Sequence, residues 1–312
     1  MSSEQLILVV GWSSFVHGES TAGDVLATEA VRRHLCENAL FHDVAWSPVM
    51  ASAIPPATFP NVISRNVIYD EVVPASYTHV IFVCGPVHGD QIAEMHRVFA
   101  HCRRIALGVS VIDPLAPEVR DFHTVIARDQ ISSVPSIDVS ATVPTEDLPL
   151  VGVMLTSGQN EYGHRRRHES VISTLDQWLT GRDEYAFVEL DTRLDPRGWR
   201  STSSADQVET LIRKCAAVIT MRMHGLVLAL KNAVPVVGID PVSGGGKLTD
   251  QATAWSWPAV IACTEVSDGA LDRNIQWALS ERGRWHALEA SLLAGPPSDQ
   301  FLRLDAALQI SP

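Results

Sequence analysis

The sequence predicts an α/β protein with two doubly wound, Rossmann-like lobes, each built on a parallel β-sheet. Short, fully apolar runs rich in β-branched residues alternate with helical segments, a pattern typical of sheets covered on both faces. The chain has 312 residues, about twice the ~150-residue prior for one domain. A stretch over 132–149, rich in Ser, Pro, Thr, Asp and Glu and without periodicity, separates the two alternating series and is the candidate linker.

The first series extends from the N-terminus to the linker. Strands are predicted over 6–10, 44–47, 66–70, 80–84, 105–109 and 124–127, and helices over 24–35 and 91–102. In the first helix Leu26, Ala27, Ala30 and Val31 keep a 3.6-residue stripe, and Asp24 is predicted to be the N-cap. This series predicts an N-terminal lobe over residues 1–145.

The second series repeats the pattern after the linker. Strands are predicted over 150–155, 187–190, 217–220, 235–239 and 259–262. Helices are predicted over 167–179, over 205–214 and from 220 to about 232, and one or two long helices over 268–292. These elements predict a C-terminal lobe over 146–295. The tail over 296–312 has a short apolar pattern and is a candidate to pack back on the first lobe. In such a protein the ligand is expected in the cleft between the lobes.

Composition excludes several classes of function. Lys and Arg total 24 against 36 Asp and Glu, a net charge of -12, so a nucleic-acid or membrane-surface role is disfavoured. The five cysteines are scattered without a C-x-x-C pair, which predicts neither disulfides nor a metal site. No apolar run reaches membrane-spanning length, and the first residues lack a signal-peptide pattern. We therefore expect a cytoplasmic protein; whether it forms a homo-oligomer stays open.

Two adjacent strand ends carry the residues best suited to bind an anion. Arg222 and His224 follow the strand over 217–220, and Gly244, Gly245, Gly246 and Lys247 follow the strand over 235–239. Because the carboxyl ends of neighbouring parallel strands share one crevice, these groups are predicted to meet. A guanidinium, an ammonium and glycine amides suit a carboxylate or phosphate. Arg222 and His224 could instead only cap the helix and pair with a core carboxylate. The loop is not a Walker A motif, because Leu248 follows the lysine.

The order of these motifs resembles the polysaccharide pyruvyl transferase family. The resemblance rests on Arg222-x-His224 with the following helix, the strand 234–237 and Lys247. The turn over 18–24, ending in Asp24, is similar to the family's N-x-G-D turn, with Thr21 at the asparagine position. Arg128-Asp129, with Ser132 nearby, is similar to its R-D-x-x-S segment.

The resemblance implies a fold like that of glycosyltransferase-B enzymes. It also implies polysaccharide biosynthesis by transfer of the enolpyruvyl-derived group of phosphoenolpyruvate to hydroxyls of a sugar or sugar-like acceptor. The donor is expected on the C-terminal lobe and the acceptor mainly on the N-terminal one, with no tightly bound cofactor and no metal. The partners would be these small molecules rather than nucleic acid.

Roles follow for the candidate residues. Arg222 is predicted to bind one donor anion, and Lys247 with Gly244, Gly245 and Gly246 the other. His224 is the candidate general acid, and Asp24 the candidate base, with Asp129 as a second possibility. Arg128 is predicted to assist donor binding, or only to pair near Asp129. Two alternatives remain: a nucleotide-sugar glycosyltransferase of the same fold, and a non-catalytic anion- or sugar-binding protein.

Overall fold

The chain folds into two compact units, Met1–Glu146 (unit 1) and Asp147–Pro312 (unit 2). The computed structural model describes residues 5–16, 18, 20–53, 63–130, 134–295 and 299–309. Ser132, the start of the predicted linker and the start of the predicted tail lie outside these ranges. The boundary between the units falls within the stretch over 132–149.

Unit 1 is built on a parallel sheet with the strand order β3-β2-β1-β4-β5-β6. Its strands are β1 (Ile7–Gly11), β2 (His42–Trp46), β3 (Ser64–Ile68), β4 (His79–Val83), β5 (Arg103–Val111) and β6 (Thr124–Gln130). Its helices are α1 (Ala22–Glu37), α2 (Pro48–Ala53), α3 (Asp90–Val98) and α4 (Pro117–Arg120). Every strand pair in this order is parallel.

Apolar runs form these strands because both faces of the sheet are buried. Ile7 and Val9 of β1 pack into a cluster with Val31 of α1, whereas Leu8 and Val10 pack into a second cluster that includes residues of α3. Successive strand residues point to opposite faces, so a run that is apolar throughout fits helices on both sides. The sheet of unit 1 is therefore a central layer between two helical layers.

Unit 2 repeats this architecture with the order β11-β10-β9-β7-β8, again with parallel pairs. Its strands are β7 (Leu150–Met154), β8 (Ala186–Glu189), β9 (Ala217–Thr220), β10 (Val236–Asp240) and β11 (Val260–Ala262). Its helices are α5 (His168–Leu179), α6 (Ala205–Ile212), α7 (Met223–Lys231), α8 (Lys247–Ala254), α9 (Asp268–Leu279), α10 (Glu281–Ser291) and α11 (Asp299–Ala307). Two buried clusters cover opposite faces of the sheet. The predicted α/β fold class with two Rossmann-like lobes is confirmed.

Each sheet has one point where the strand order reverses. In unit 1 the reversal lies between β1 and β4, and in unit 2 between β7 and β9. Ligands of open parallel sheets bind outside the carboxyl ends of the strands at such a reversal. The loops after these four strands are therefore where a site is expected in each unit.

Several local predictions differ from the structure. Helix α1 is capped by Thr21, and Asp24 is the third helical residue, completing a capping box. Lys247, predicted in a loop, is the first residue of α8. The sequence left open one or two helices over 268–292, and the structure has two, because Ser280 ends α9 and caps α10 by accepting from the Gly283 amide at 3.1 Å. In the described ranges, no helix is long and apolar enough to cross a membrane.

Candidate functional site

Arg222 lies at the strand reversal of unit 2. It follows β9 and occupies the N-cap position of α7, and its amide donates to Thr220 Oγ1 at 2.9 Å. Its Nε donates to the carbonyl of Leu155, directly after β7, at 3.1 Å. The guanidinium therefore spans the β7–β9 crevice in which a ligand is expected.

The guanidinium of Arg222 has a carboxylate partner, as the alternative to ligand binding allowed, and this partner is Asp191, which the sequence did not single out. Asp191 Oδ1 lies 3.3 Å from Arg222 Nε, and Asp191 Oδ2 accepts from Arg193 Nε at 2.8 Å. Burial lowers the pKa of Arg222, and the charge of Asp191 opposes this shift. Burial alone would raise the pKa of Asp191, but the hydrogen bonds from Arg193 and the charge of Arg222 lower it overall. A ligand anion at Arg222 would therefore have to exchange with Asp191.

His224 is the second residue of α7, and its side chain is exposed. The residue after it, Gly225, is buried against the strand ends: a methyl group added there would lie 2.3 Å from Thr220 Oγ1 and 2.9 Å from Met154 Sδ. The glycine allows the first turn of α7 to approach the sheet, which fixes the position of His224 at the carboxyl edge.

The glycine turn before α8 differs from the predicted anion-binding cup. The amide of Gly246 donates to Asp240 Oδ2 at 2.7 Å, and the amide of Gly245 donates to the Val242 carbonyl at 2.9 Å. Gly244 and Gly245 have φ of 81° and 83°, which only glycine adopts readily, so the turn itself needs these glycines. Two of the three predicted amide donors are thus occupied by the protein.

Asp240 occupies the N-terminus of α8 where an external anion was predicted. The side chain is 2% exposed and also accepts from the Thr249 amide at 3.1 Å and the Thr249 hydroxyl at 2.6 Å. A carboxylate is stabilised there by the helix dipole and the unpaired amides of the first turn. Lys247 Nζ lies 3.6 Å from Glu161, a different carboxylate from the one that holds Arg222.

The basic run over 164–168 makes structural contacts with neighbouring loops and does not form a positively charged binding site. Its backbone pairs with the glycine turn: the Ser243 amide donates to Arg165 O, and the Arg167 amide donates to Pro241 O, both at 2.8 Å. Arg166 Nη2 donates to the Ser157 carbonyl at 2.8 Å and to Glu169 at 2.9 Å. The loops after β7 and β10 are therefore joined at the carboxyl edge of the sheet.

In unit 1, Asp24 lies in the first turn of α1 and is 8% exposed. Its Oδ2 accepts from the amide of Thr21 at 2.9 Å and from the Thr21 hydroxyl at 2.7 Å. These contacts belong to the capping box of α1 and give Asp24 a structural role. The carboxyl group nevertheless lines a cavity of about 500 Å³ at the reversal between β1 and β4.

Arg128 and Asp129 are brought together, but the guanidinium is committed to neighbouring groups. Arg128 Nε donates to Asp129 at 2.7 Å, Nη2 to the Ser110 hydroxyl at 2.7 Å, and Nη1 to Asp138. The hydrogen bond to Asp129, followed by the one to Asp138, raises the pKa of Arg128. With two carboxylates on one guanidinium, the predicted help with donor binding is not supported; the alternative, local pairing, is what the contacts show.

The cavity of unit 1 is lined by the Trp12 side chain and by a backbone turn with positive φ angles. Trp12 lines it beside Cys84 and Gly85, and both of these residues have positive φ, 63° and 70°. A methyl group at Gly85 would lie 2.3 Å from Trp12 Cδ1, so the indole rests on the glycine. Burial raises the pKa of the Cys84 thiol to about 11, which keeps it protonated and argues against a nucleophilic role.

Trp255 and Trp257, which follow Lys247 closely in the sequence, pack in the core of unit 2 and do not offer a free stacking face. Trp257 is 5% exposed and its Nε1 donates to the Val236 carbonyl at 2.7 Å, while Trp255 packs partly buried against the same cluster. Within the described residues, no group of three or more His, Cys, Asp or Glu could hold a metal ion.

The match to a known protein family covers the segment that contains Arg222 and His224. Residues 175–243 match the model of the polysaccharide pyruvyl transferase family. The resemblance found in the sequence is confirmed over this segment, and with it the predicted enzyme class, a transferase. Asp24, Arg128, Asp129 and the residues after Ser243 lie outside the match.

Comparison with solved structures gives distant similarities. A glycotransferase of kitacinnamycin is 10% identical, with 92% of this chain and 94% of that chain covered and a TM-score of 0.34. The spinosyn forosaminyltransferase SpnP is 12% identical, with 99% and 100% covered and a TM-score of 0.34. The E. coli heptosyltransferase WaaC, solved with ADP, is 13% identical, with 87% and 99% covered and a TM-score of 0.27. No curated protein matches the chain in sequence.

Proposed function

We propose that this protein transfers the enolpyruvyl-derived group of phosphoenolpyruvate to hydroxyls of a sugar or sugar-like acceptor. The observation that carries the proposal is the position of the family match: it ends at Ser243 and contains Arg222 and His224 at the strand reversal of unit 2. No tightly bound cofactor is needed for this chemistry on our proposal.

Phosphoenolpyruvate has a carboxylate and a phosphate on one three-carbon frame, so its site needs two cationic or amide-rich contacts. Arg222 is proposed to bind one of these anions in place of the Asp191 carboxylate, with which its guanidinium forms an ion pair in this structure. Lys247 remains proposed for the other anion, but the glycine turn does not, because Asp240 and Val242 accept two of its three amides. Lys247 is 44% exposed and its partner Glu161 60% exposed, and such a surface pair contributes only about 0 to 1 kcal/mol and exchanges readily.

The proposed reaction adds two acceptor hydroxyls to the enol carbon. A proton is delivered to the vinyl carbon, the first hydroxyl adds to the neighbouring carbon and loses its proton, and the second displaces phosphate to leave a cyclic ketal. His224 is proposed as the acid, because its exposed ring at the start of α7 lies two residues after the proposed anion-binding Arg222. Asp24 is proposed as the base on the acceptor side.

The experiment incubates the full chain with phosphoenolpyruvate and a panel of sugars and sugar nucleotides, reading inorganic phosphate and product mass. Release of phosphate with a ketal-mass product supports the proposal. His224→Asn should still bind donor but turn over at least tenfold more slowly, and Asp24→Asn should do the same. The exposed His34→Asn in α1 is the matched control and should keep normal turnover.

Other outcomes contradict the proposal. Thermal stabilisation by UDP with none by phosphoenolpyruvate would favour a nucleotide-sugar glycosyltransferase. Stabilisation by phosphoenolpyruvate or by a sugar with no phosphate release from any acceptor would indicate a binding protein.

A further inference from the structure

The loop between β8 and α6 forms a cavity that the sequence analysis did not consider. The cavity has a volume of about 520 Å³ and is lined by residues from Glu189 to Thr202 and by Leu211. A second cavity of about 510 Å³, lined by residues between Gly198 and Leu211, shares Arg200, Ser201, Thr202 and Leu211 with it. Each volume lies within the range of small-molecule sites, roughly 300 to 1,000 Å³.

Planar charged groups in fixed pairs line the first cavity. Arg197 binds Asp195 in a two-point contact, with Nε at 2.7 Å from Oδ1 and Nη2 at 2.8 Å from Oδ2. Arg193 Nε donates to Asp191 Oδ2 at 2.8 Å. The arginine side chains are 77% and 87% exposed, so they retain donor groups that face solvent.

The charges of this lining are balanced. The three guanidiniums of Arg193, Arg197 and Arg200 stand beside the three carboxylates of Glu189, Asp191 and Asp195. A cavity selective for phosphate would present excess positive charge, whereas here any added anion meets the carboxylates as well. Paired guanidinium donors and carboxylate acceptors instead match a neutral ligand with neighbouring hydroxyl groups, which can accept from the first and donate to the second.

An exposed aromatic ring lies beside these polar groups. Trp199 is 86% exposed, and the guanidinium carbon of Arg200 lies 4.8 Å from its ring centroid. The contact holds the indole by a cation–π interaction while most of its surface stays accessible. An indole with an accessible face and a nearby polar rim is suited to an amphipathic partner such as a sugar ring.

We propose that the two cavities of the β8–α6 loop form a saccharide-binding site, with Trp199 as the stacking surface and the Asp195–Arg197 pair binding hydroxyls. Asp191 lines this cavity and also contacts Arg222 at 3.3 Å, so a saccharide held here lies next to the proposed donor-binding group. The identification of this saccharide as the acceptor rests on the proposed function. The binding of a saccharide in the cavity is independent of that function.

The test titrates the full chain, without phosphoenolpyruvate, with lactose, cellobiose and maltotriose, and separately with inorganic pyrophosphate, by calorimetry. The proposal expects at least one saccharide to bind, with an affinity reduced at least tenfold in both Trp199→Ala and Asp195→Asn. Trp285→Ala removes another exposed tryptophan of unit 2, at 65% exposure, and should bind like the wild type.

Saccharide binding that neither variant weakens would overturn the site. The site would also be overturned if no saccharide binds while pyrophosphate binds and Arg197→Gln abolishes that pyrophosphate binding. Absence of binding to every probe would also overturn it. Failure of the proposed function reads differently, because saccharides would then bind through Trp199 while phosphoenolpyruvate releases no phosphate.

Discussion

Replacing Gly225 with alanine tests whether close packing at the start of α7 determines the site geometry. In an exposed helix interior, glycine to alanine normally stabilises by roughly 1 kcal/mol. Here the added methyl group would lie 2.3 Å from Thr220 Oγ1 and 2.9 Å from Met154 Sδ, both well inside contact distance. The favourable helix propensity is therefore opposed by overpacking at a buried position.

The magnitude follows from these contacts. Overpacking typically costs about 1 to 3 kcal/mol. Thr220 is fully buried, and its hydroxyl cannot rotate away without losing the hydrogen bond from the Arg222 amide, about another 1 kcal/mol. After subtracting the gain in helix propensity, Gly225→Ala should lower the free energy of unfolding of unit 2 by about 1 to 3 kcal/mol.

The assay is urea unfolding followed by circular dichroism, with the transition of unit 2 fitted separately. Gly269→Ala in α9 is the matched control: the nearest atom to its added methyl group is the flexible Arg273 Nη1 at 3.4 Å, so this change should be neutral or stabilising. In a Thr220→Ala background the cost of Gly225→Ala should be smaller. A Gly225→Ala protein as stable as the wild type would refute the packing argument.

Two further predictions concern carboxylates that the sequence did not single out. Asp240→Asn should destabilise unit 2 by at least about 2 kcal/mol in urea unfolding, since it weakens several buried hydrogen bonds to a charged acceptor. The exposed Asp250→Asn in α8 should cost less than about 1 kcal/mol, and equal effects would contradict this. Burial alone would raise the pKa of Asp138, but hydrogen bonds from Ser140 and Arg128 lower it, so its ionised form stabilises unit 1 at neutral pH and this contribution is lost below about pH 4. The unfolding free energy should therefore fall less between pH 6 and 3.5 in Asp138→Asn than in the wild type, and parallel profiles would contradict the assignment.

The fold was predictable from local pattern because parallel strands buried on both faces leave a direct record in the sequence. Ile7 to Val10 are all apolar, and the structure places alternate members in opposite clusters. The break at Ser280 left a weaker record: a capping serine can also lie within a continuous helix, so the sequence did not decide between one helix and two over 268–292.

The candidate site was predictable only where its residues are neighbours in sequence. Arg222 and His224 stand two residues apart at one strand end, and the family match contains both. Asp191 contacts Arg222 from 31 positions away, after a different strand, so no local pattern pairs them. Asp138 lies in the stretch predicted as a linker, where its polar surroundings gave no indication of its contact with Arg128.

The glycine turn shows how one composition supports two interpretations. Three successive glycines before a lysine suit an anion-binding nest, but they also suit a turn that needs positive φ. The buried Asp240 decides between them in this structure, because it accepts the amide of Gly246 itself. A carboxylate seven residues before the first residue of α8 was visible in the sequence, and its place at the end of an apolar strand was the available signal.

The central claim is that Arg222 binds the donor anion at the strand reversal of unit 2, and calorimetric titration with phosphoenolpyruvate tests it most directly. Arg222→Lys keeps the charge but loses the two-point guanidinium contact, so the account predicts binding in the wild type and at least tenfold weaker binding in the variant. Equal affinity of wild type and Arg222→Lys for phosphoenolpyruvate would contradict it.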